Sequence, residues 1–265
     1  MATIKNVYNA LDRKAPFATQ MDFDNAGFLV GRSDTAVSRI LVTLDITEEV
    51  IQEAVRKGAN LIVAHHPIIW GSISTLTDDS STGSKVLQLA ENRIGAICAH
   101  TNLDAAEGGV NSRLAELLGL TQPIPLHTDG LDGENRPYGI GRVGILPDGP
   151  VSLEAFTVSV KAALRLSGIR VMNAGCPVYK VAVGGGACGS MLKDVAAQGC
   201  DTFVTSELKH DVYLEGKYLG VNLLDAGHYS TETMVCPVLA AWLREAFPDI
   251  PVEVAEHQCE VFENL

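Results

Sequence analysis

The 265-residue chain is 46% apolar and 20% charged, with a formal net charge of −12. A chain of that length buries a full core in one large or two modest units, and no apolar run approaches the roughly 18 residues of a membrane span. The acidic balance argues against a general phosphate-backbone binder, which presents surplus Lys and Arg, so neither nucleic acid nor membrane is an expected partner. Cation binding suits the excess of acid, although an acidic surface also serves solubility alone.

From the amino terminus, Lys5, Asp12 and Arg13 interrupt any apolar stretch, so the start resembles neither a signal nor a transit peptide and a cytoplasmic location is expected. The segment DNAGFLVG (24–31) is turn-rich; Asn25 either reaches a site or simply forms the turn. Apolar runs at 40–44, 61–64 and 94–99 are short and unalternating, separated by helical patterns at 47–57 and 85–92. This is the βαβαβ signature of a mostly parallel, buried sheet with helices on both faces. Thr47 suits an N-cap and Gly58 a stop for the first of these helices, and a helix at 111–118 ends at Gly119.

The polar, Gly/Pro-rich HTDGLDGENRP (127–137) reads as a linker into a second α/β series. There the expected strands are 140–146, 178–183, 202–205 and 221–224, with helices at 153–166 and 191–198 and a long amphipathic helix at 231–247. The expected division is a first α/β unit at 1–128, completed by 222–265, and a second at 129–221. Six cysteines without a CxxC pair read as buried reduced thiols, not as a disulfide framework or zinc knuckle.

Three clusters of imidazole and carboxylate carry the chemistry. His65 and His66 follow the buried run LIVA and precede Pro67, which ends the strand. They therefore sit at its carboxyl end, the edge where open α/β sheets bind ligands. Adjacent residues on a strand point to opposite faces, so the two either hold one ion each, or one binds while the other orients it. The next strand runs into HTNLD (100–104), placing His100 and Asp104 at an equivalent edge, unless Asp104 only caps the following helix. The third cluster is HYSTE (228–232), where His228 and Glu232, at i and i+4 on a helix start, share one face. Three such clusters, each past the end of a buried strand, form the mixed N/O donor set of zinc, iron or manganese.

Two further segments compete. GGGACG (184–189) matches GxGxxG between a strand and a helix, but outside a first βαβ unit; it is either a tight turn or a cradle whose backbone N–H groups hold a substrate phosphate. TSELKHD (205–211) offers Glu207 as an acid or base, with Lys209 or His210 as anion contacts, against the reading of a solvated charged run.

Taken together, DNAGFLVG, AHHP (64–67), HTNLD, TSELKHD and GHYSTE (227–232) resemble the GTP cyclohydrolase I type 2 homologue family, the Nif-three-like dinuclear metal proteins. The resemblance covers nearly the whole chain. It implies two α/β units with a metal-binding cleft between them, two divalent ions per chain (Zn, Fe or Mn) and the ligands His65, His66, Asp104, His228 and Glu232, with His100 an acid/base or outer ligand. It also implies a homo-oligomer, a ring-shaped hexamer, and an inserted domain in longer members for which this chain is too short. The expected function is metal-dependent hydrolysis of a small-molecule or nucleotide substrate, with His100 or Glu207 moving protons. The alternative is a non-catalytic metal store, delivery factor or regulatory scaffold.

Overall fold

The computed structural model describes residues 1–133 and 135–262. Position 134, within the expected linker, and positions 263–265, within the expected completion of the first unit, lie outside the described residues. The chain divides into two compact units, Met1–Leu103 with Val235–Cys259, and Asp104–Met234 with the described part of Glu260–Leu265.

The first unit is built on a five-stranded sheet in the order Gly27–Val30, Gly95–Cys98, Leu61–Ala64, Ile40–Thr43, Val252–Val254. Every neighbouring pair is parallel except the first, which is antiparallel. The three inner strands are fully buried, which is why their sequences show apolar runs instead of alternation. Register sets Thr43 beside Ala64 and Ala64 beside Cys98, so the residues that follow each strand emerge at one carboxyl edge. The intervening helix Glu48–Lys57 begins where the Thr47 hydroxyl accepts the Val50 N–H. Glu48 and Glu49 sit at its amino end, Arg56 and Lys57 at its carboxyl end, and Gly58 closes it at φ +69°.

The outer strand Val252–Val254 and the turn after it are fastened by one carboxylate. Glu53, 1% exposed, accepts the backbone N–H groups of Glu256 and His257 at 3.0 Å, faces His257 Nδ1 at 2.8 Å and pairs with Lys57 at 2.9 Å. Burial works to raise its pKa, but these donors prevail and hold it at about 2.

The second unit carries a six-stranded sheet, Thr121–Pro125, Arg142–Ile145, Lys180–Val183, Thr202–Thr205, Asn222–Asp225, Arg170–Met172. Lys180–Val183, Thr202–Thr205 and Asn222–Asp225 run parallel; the flanking pairings are antiparallel. Period-two side-chain direction divides its core: Val181, Val183, Val204 and Leu224 pack with Phe156 and Val160, while Ala182, Phe203 and Leu223 pack with Leu192 and Val195. The buried Arg142 guanidinium donates to the carbonyls of Ala105, Ala106, Gly139 and Gly141. Those bonds hold the chain just past Asp104.

Several sequence expectations are corrected. The strand Asn222–Asp225 pairs with Thr202–Thr205, so it belongs to the second unit and not to the completion of the first. The units divide at Leu103/Asp104 and Met234/Val235, not at 128/129 and 221/222. The expected linker at 127–137 overlaps the short antiparallel pair Gly130–Leu131 and Pro137–Tyr138 inside the second unit, whose surroundings share the Gly/Pro composition of a linker. The long helix at 231–247 is two, His228–Glu232 and Val235–Ala246. Pro237 is the reason, because its ring clashes with the carbonyl four residues back, at Thr233. The cysteines are free thiols as expected, but only Cys98, Cys200 and Cys236 are buried; Cys176 and Cys188 are half-buried and Cys259 is exposed. No helix among the described residues is long and apolar enough to cross a membrane.

The Glu53 clamp gives a pH-dependent stability. Its folded pKa lies below the ordinary 4.5, so its contribution of about 3 kcal/mol is present above pH 4.5 and lost as pH falls through about 2. Glu53→Gln is expected to lower unfolding free energy at pH 7 by about 2–3 kcal/mol and to flatten stability between pH 4.5 and 2, both measured by urea titration.

Candidate metal centre

In the first unit the parallel register brings three histidines to one edge. His65 and His66 leave Leu61–Ala64 and His100 leaves Gly95–Cys98; the backbone continues the pairing past the strands, with the Ala99 N–H donating to the Ala64 carbonyl at 2.9 Å. Ring centroids are 4.9 Å apart for His65–His66, 5.2 Å for His65–His100 and 5.6 Å for His66–His100. One ring nitrogen from each falls within 4.8 Å of the others, close enough for a shared ion. The pair alone left open whether both histidines face one site. The structure turns both toward His100, because the strand ends before them and strict alternation no longer applies.

Each ring is oriented through Nδ1 by an oxygen. His65 Nδ1 lies 2.8 Å from the Ala99 carbonyl, His66 Nδ1 2.8 Å from Asp45 Oδ1, and His100 Nδ1 2.9 Å from Asp24 Oδ1. An Nδ1–H held in this way leaves the lone pair on Nε2, the tautomer that metal-binding histidines adopt. Asp24 also accepts the Thr101 N–H at 3.0 Å and the Thr101 hydroxyl. Burial works to raise its pKa, but the bonds from His100 and Thr101 and the charge of His100 bring it to about 2. Asn25 instead donates to the Ile69 carbonyl at 2.8 Å, as the turn former of the two readings. Trp70, 55% exposed, sets its ring edge-on to His100 at 5.2 Å.

The second unit presents a carboxylate-rich set. Asp104 lies on the short helix Thr101–Ala105 and is 7% exposed; Glu232 is 3% exposed. His228 Nε2 lies 3.1 Å from Glu232 Oε2, one helical turn on, close enough for both atoms to serve one ion. His228 Nδ1 faces Glu207 Oε1 at 3.0 Å. Burial foremost, and then the charges of Asp104 and Glu232, push the Cys188 thiol well above the ordinary range, so both carboxylates act on one neighbourhood. Lys209 and His210 begin the helix His210–Leu219 as N-cap and first residue, and both are exposed.

The glycine loop has a packing role. Its N–H groups are largely engaged inside the protein: Gly184 with the Val204 carbonyl, Gly185 with Asn111 Oδ1 at 2.8 Å, Gly186 with Thr231 Oγ1 at 3.0 Å and Cys188 with Thr205 Oγ1 at 3.1 Å. The phosphate-cradle reading is therefore replaced by that of a tight turn. Asn111 also donates to the Asp104 carbonyl at 3.0 Å, tying that helix to the loop. At Gly186, φ is +66°, and a Cβ would stand 2.3 Å from Glu232 Oε1 and 3.1 Å from His228 Nε2. Only glycine leaves both donors in place.

The donor chemistry fits divalent ions: imidazoles with their Nδ1 positions engaged, and two buried carboxylates, which a protein interior tolerates when paired or bound to cations. The sequence did not disclose Asp24 and Asp45, the carboxylates that orient His100 and His66. Each lies in a loop, 76 and 21 residues from its partner, and the aspartate in DNAG was the one visible signal.

Substitution at Gly186 separates strain from contact. Gly186→Ala and Gly175→Ala both place a side chain at positive φ, but Gly175 has open space around it. Each is expected to cost about 1–3 kcal/mol in chemical denaturation, and only Gly186→Ala is expected to lose divalent-metal affinity, measured by calorimetry.

A family model described as Duf34/NIF3 (NGG1p interacting factor 3) matches residues 2–261. A Clostridium perfringens relative named GTP cyclohydrolase 1 type 2 homolog is 32% identical over 264 residues, covering 99% of each chain. A Streptomyces coelicolor relative of the same name is 38% identical over 253 residues, 92% of this chain and 87% of its own. The crystal structure of the Staphylococcus aureus hypothetical protein SA1388 superposes with a TM-score of 0.91 at 28% identity, covering 99% of each chain. Motifs, fold and whole-length similarity agree, and the chain belongs to the Duf34/NIF3 family.

Proposed function

We propose that the chain binds two divalent ions, zinc, iron or manganese, through His65, His66, Asp104, His228 and Glu232, and uses them to hydrolyse a nucleotide-like substrate. The observation that carries this reading is the histidine trio, in which every Nδ1 meets an oxygen and Nε2 is thereby left to act as the donor nitrogen. Surface histidines have no need of three separate orienting acceptors. Bound divalent ions supply Lewis acidity and lower the pKa of water at neutral pH.

The chain's own residues do the rest. His100, with Nδ1 on the buried Asp24 carboxylate, moves a proton at Nε2, because Asp24 fixes the tautomer and stabilises the imidazolium when it forms. Trp70 flanks His100 and offers an aromatic edge to a planar ring. The relatives' name makes GTP the first substrate to test. A cytoplasmic homohexamer is part of the same proposal, testable by light scattering.

The protein loaded with Mn, Fe or Zn is expected to consume GTP or a generic phosphodiester, and His65→Ala to abolish this. His100→Ala is expected to retain metal and lose about 10²–10⁴-fold in rate. Absence of metal-dependent turnover of either substrate overturns the hydrolase reading and leaves storage or regulation. Near-full loading in both His66→Ala and Glu232→Ala, by elemental analysis, overturns the ligand set.

A further inference from the structure

Glu207 entered as a candidate acid or base. Its position gives it a different task. It is one of few non-glycine residues at positive φ, +53°, on the turn leaving strand Thr202–Thr205. A non-glycine residue held there costs about 1–3 kcal/mol and persists only where its surroundings enforce it.

They do so on both sides. The Asp225 carboxylate accepts the Glu207 N–H on one oxygen and the Leu208 N–H on the other, each at 3.2 Å. Arg170 pairs with Asp225 at 2.5 Å and the Tyr213 hydroxyl donates to it at 3.3 Å. On the other side the Ser206 N–H donates to the Gly186 carbonyl at 3.0 Å. The strained turn is thereby anchored to the loop whose glycine packs on His228 and Glu232, and its carboxylate is delivered 3.0 Å from His228 Nδ1.

We infer that Glu207 is a positioning residue: it accepts the Nδ1–H of His228, fixes the Nε2 tautomer and ring orientation, and so sets the metal affinity of the His228/Glu232 pair. The inference rests on the proposal that His228 is a ligand. Asp24 and Asp45 stand in the same relation to His100 and His66. Glu207 differs in being held by a strained backbone. Its side chain is 58% exposed, so its direct ion-pair contribution to stability is small, and its effect lies in orientation.

The test uses the full chain with zinc as probe. Glu207→Ala is expected to keep the fold and thermal midpoint and to weaken zinc binding by about 10–100-fold. Glu207→Gln, whose amide oxygen can still accept from Nδ1–H, is expected to restore affinity to within a few-fold. In zinc-loaded protein carrying ¹⁵N-histidine, the His228 Nδ1–H resonance is expected downfield in wild type and Gln variant, and shifted upfield or broadened by exchange in Glu207→Ala. Equal zinc affinity and an unchanged His228 resonance in Glu207→Ala overturn the inference while metal binding stands. If wild-type protein takes up no zinc, manganese or iron, the underlying metal reading is what fails.

Discussion

The parallel pairing of Leu61–Ala64 with Gly95–Cys98 is the constraint from which the histidine cluster follows. Ala64 beside Cys98 means that the residues beyond each strand leave the sheet together. His65 and His66 then share an edge with Ala99 and His100, and the Ala99 carbonyl is within reach of His65 Nδ1. A shift of one residue in that register would take His65 out of line with Ala99 and remake every side-chain contact across both buried faces. The fully buried inner strands forbid it, so core packing fixes site geometry.

In each unit the orientation of the imidazoles is delegated to carboxylates, and for His65 to one carbonyl. Asp24, Asp45 and Glu207 each meet an imidazole Nδ1 from a loop beside the sheet. The loops are fastened individually: Asn25 to Ile69, Asp24 to Thr101, Glu207 through Asp225 to Arg170. Rigidity thus reaches donors that would otherwise turn freely, which is the requirement for preorganised sites.

Much of this was legible in the chain. Buried strands announce themselves as apolar runs, and HHP, HTNLD and HYSTE sit past strand ends where α/β sheets place ligands. The division into units was not legible, because Asn222–Asp225 reads as the same kind of strand whichever sheet receives it. The segment carrying the pair Gly130–Leu131 and Pro137–Tyr138 has the composition of a linker. The glycine-rich loop matched a phosphate-binding pattern, yet its amides are taken by Asn111, Thr205 and Thr231, contacts spanning 17 to 74 residues that spacing within the loop cannot reveal. Pro237, by contrast, was readable, since the break falls at the residue four positions before it, Thr233.

The outer position of the first sheet has a consequence for biosynthesis. Strand Ile40–Thr43 is completed on one side by Val252–Val254, which leaves the ribosome only after all of Asp104–Met234. During that interval an apolar strand with one unfilled ladder is a template for pairing with other chains. The nascent chain is therefore open to mispairing until its last strand is in place. The Glu53 clamp, which seizes the Glu256 and His257 amides as they arrive, is what ends that exposure.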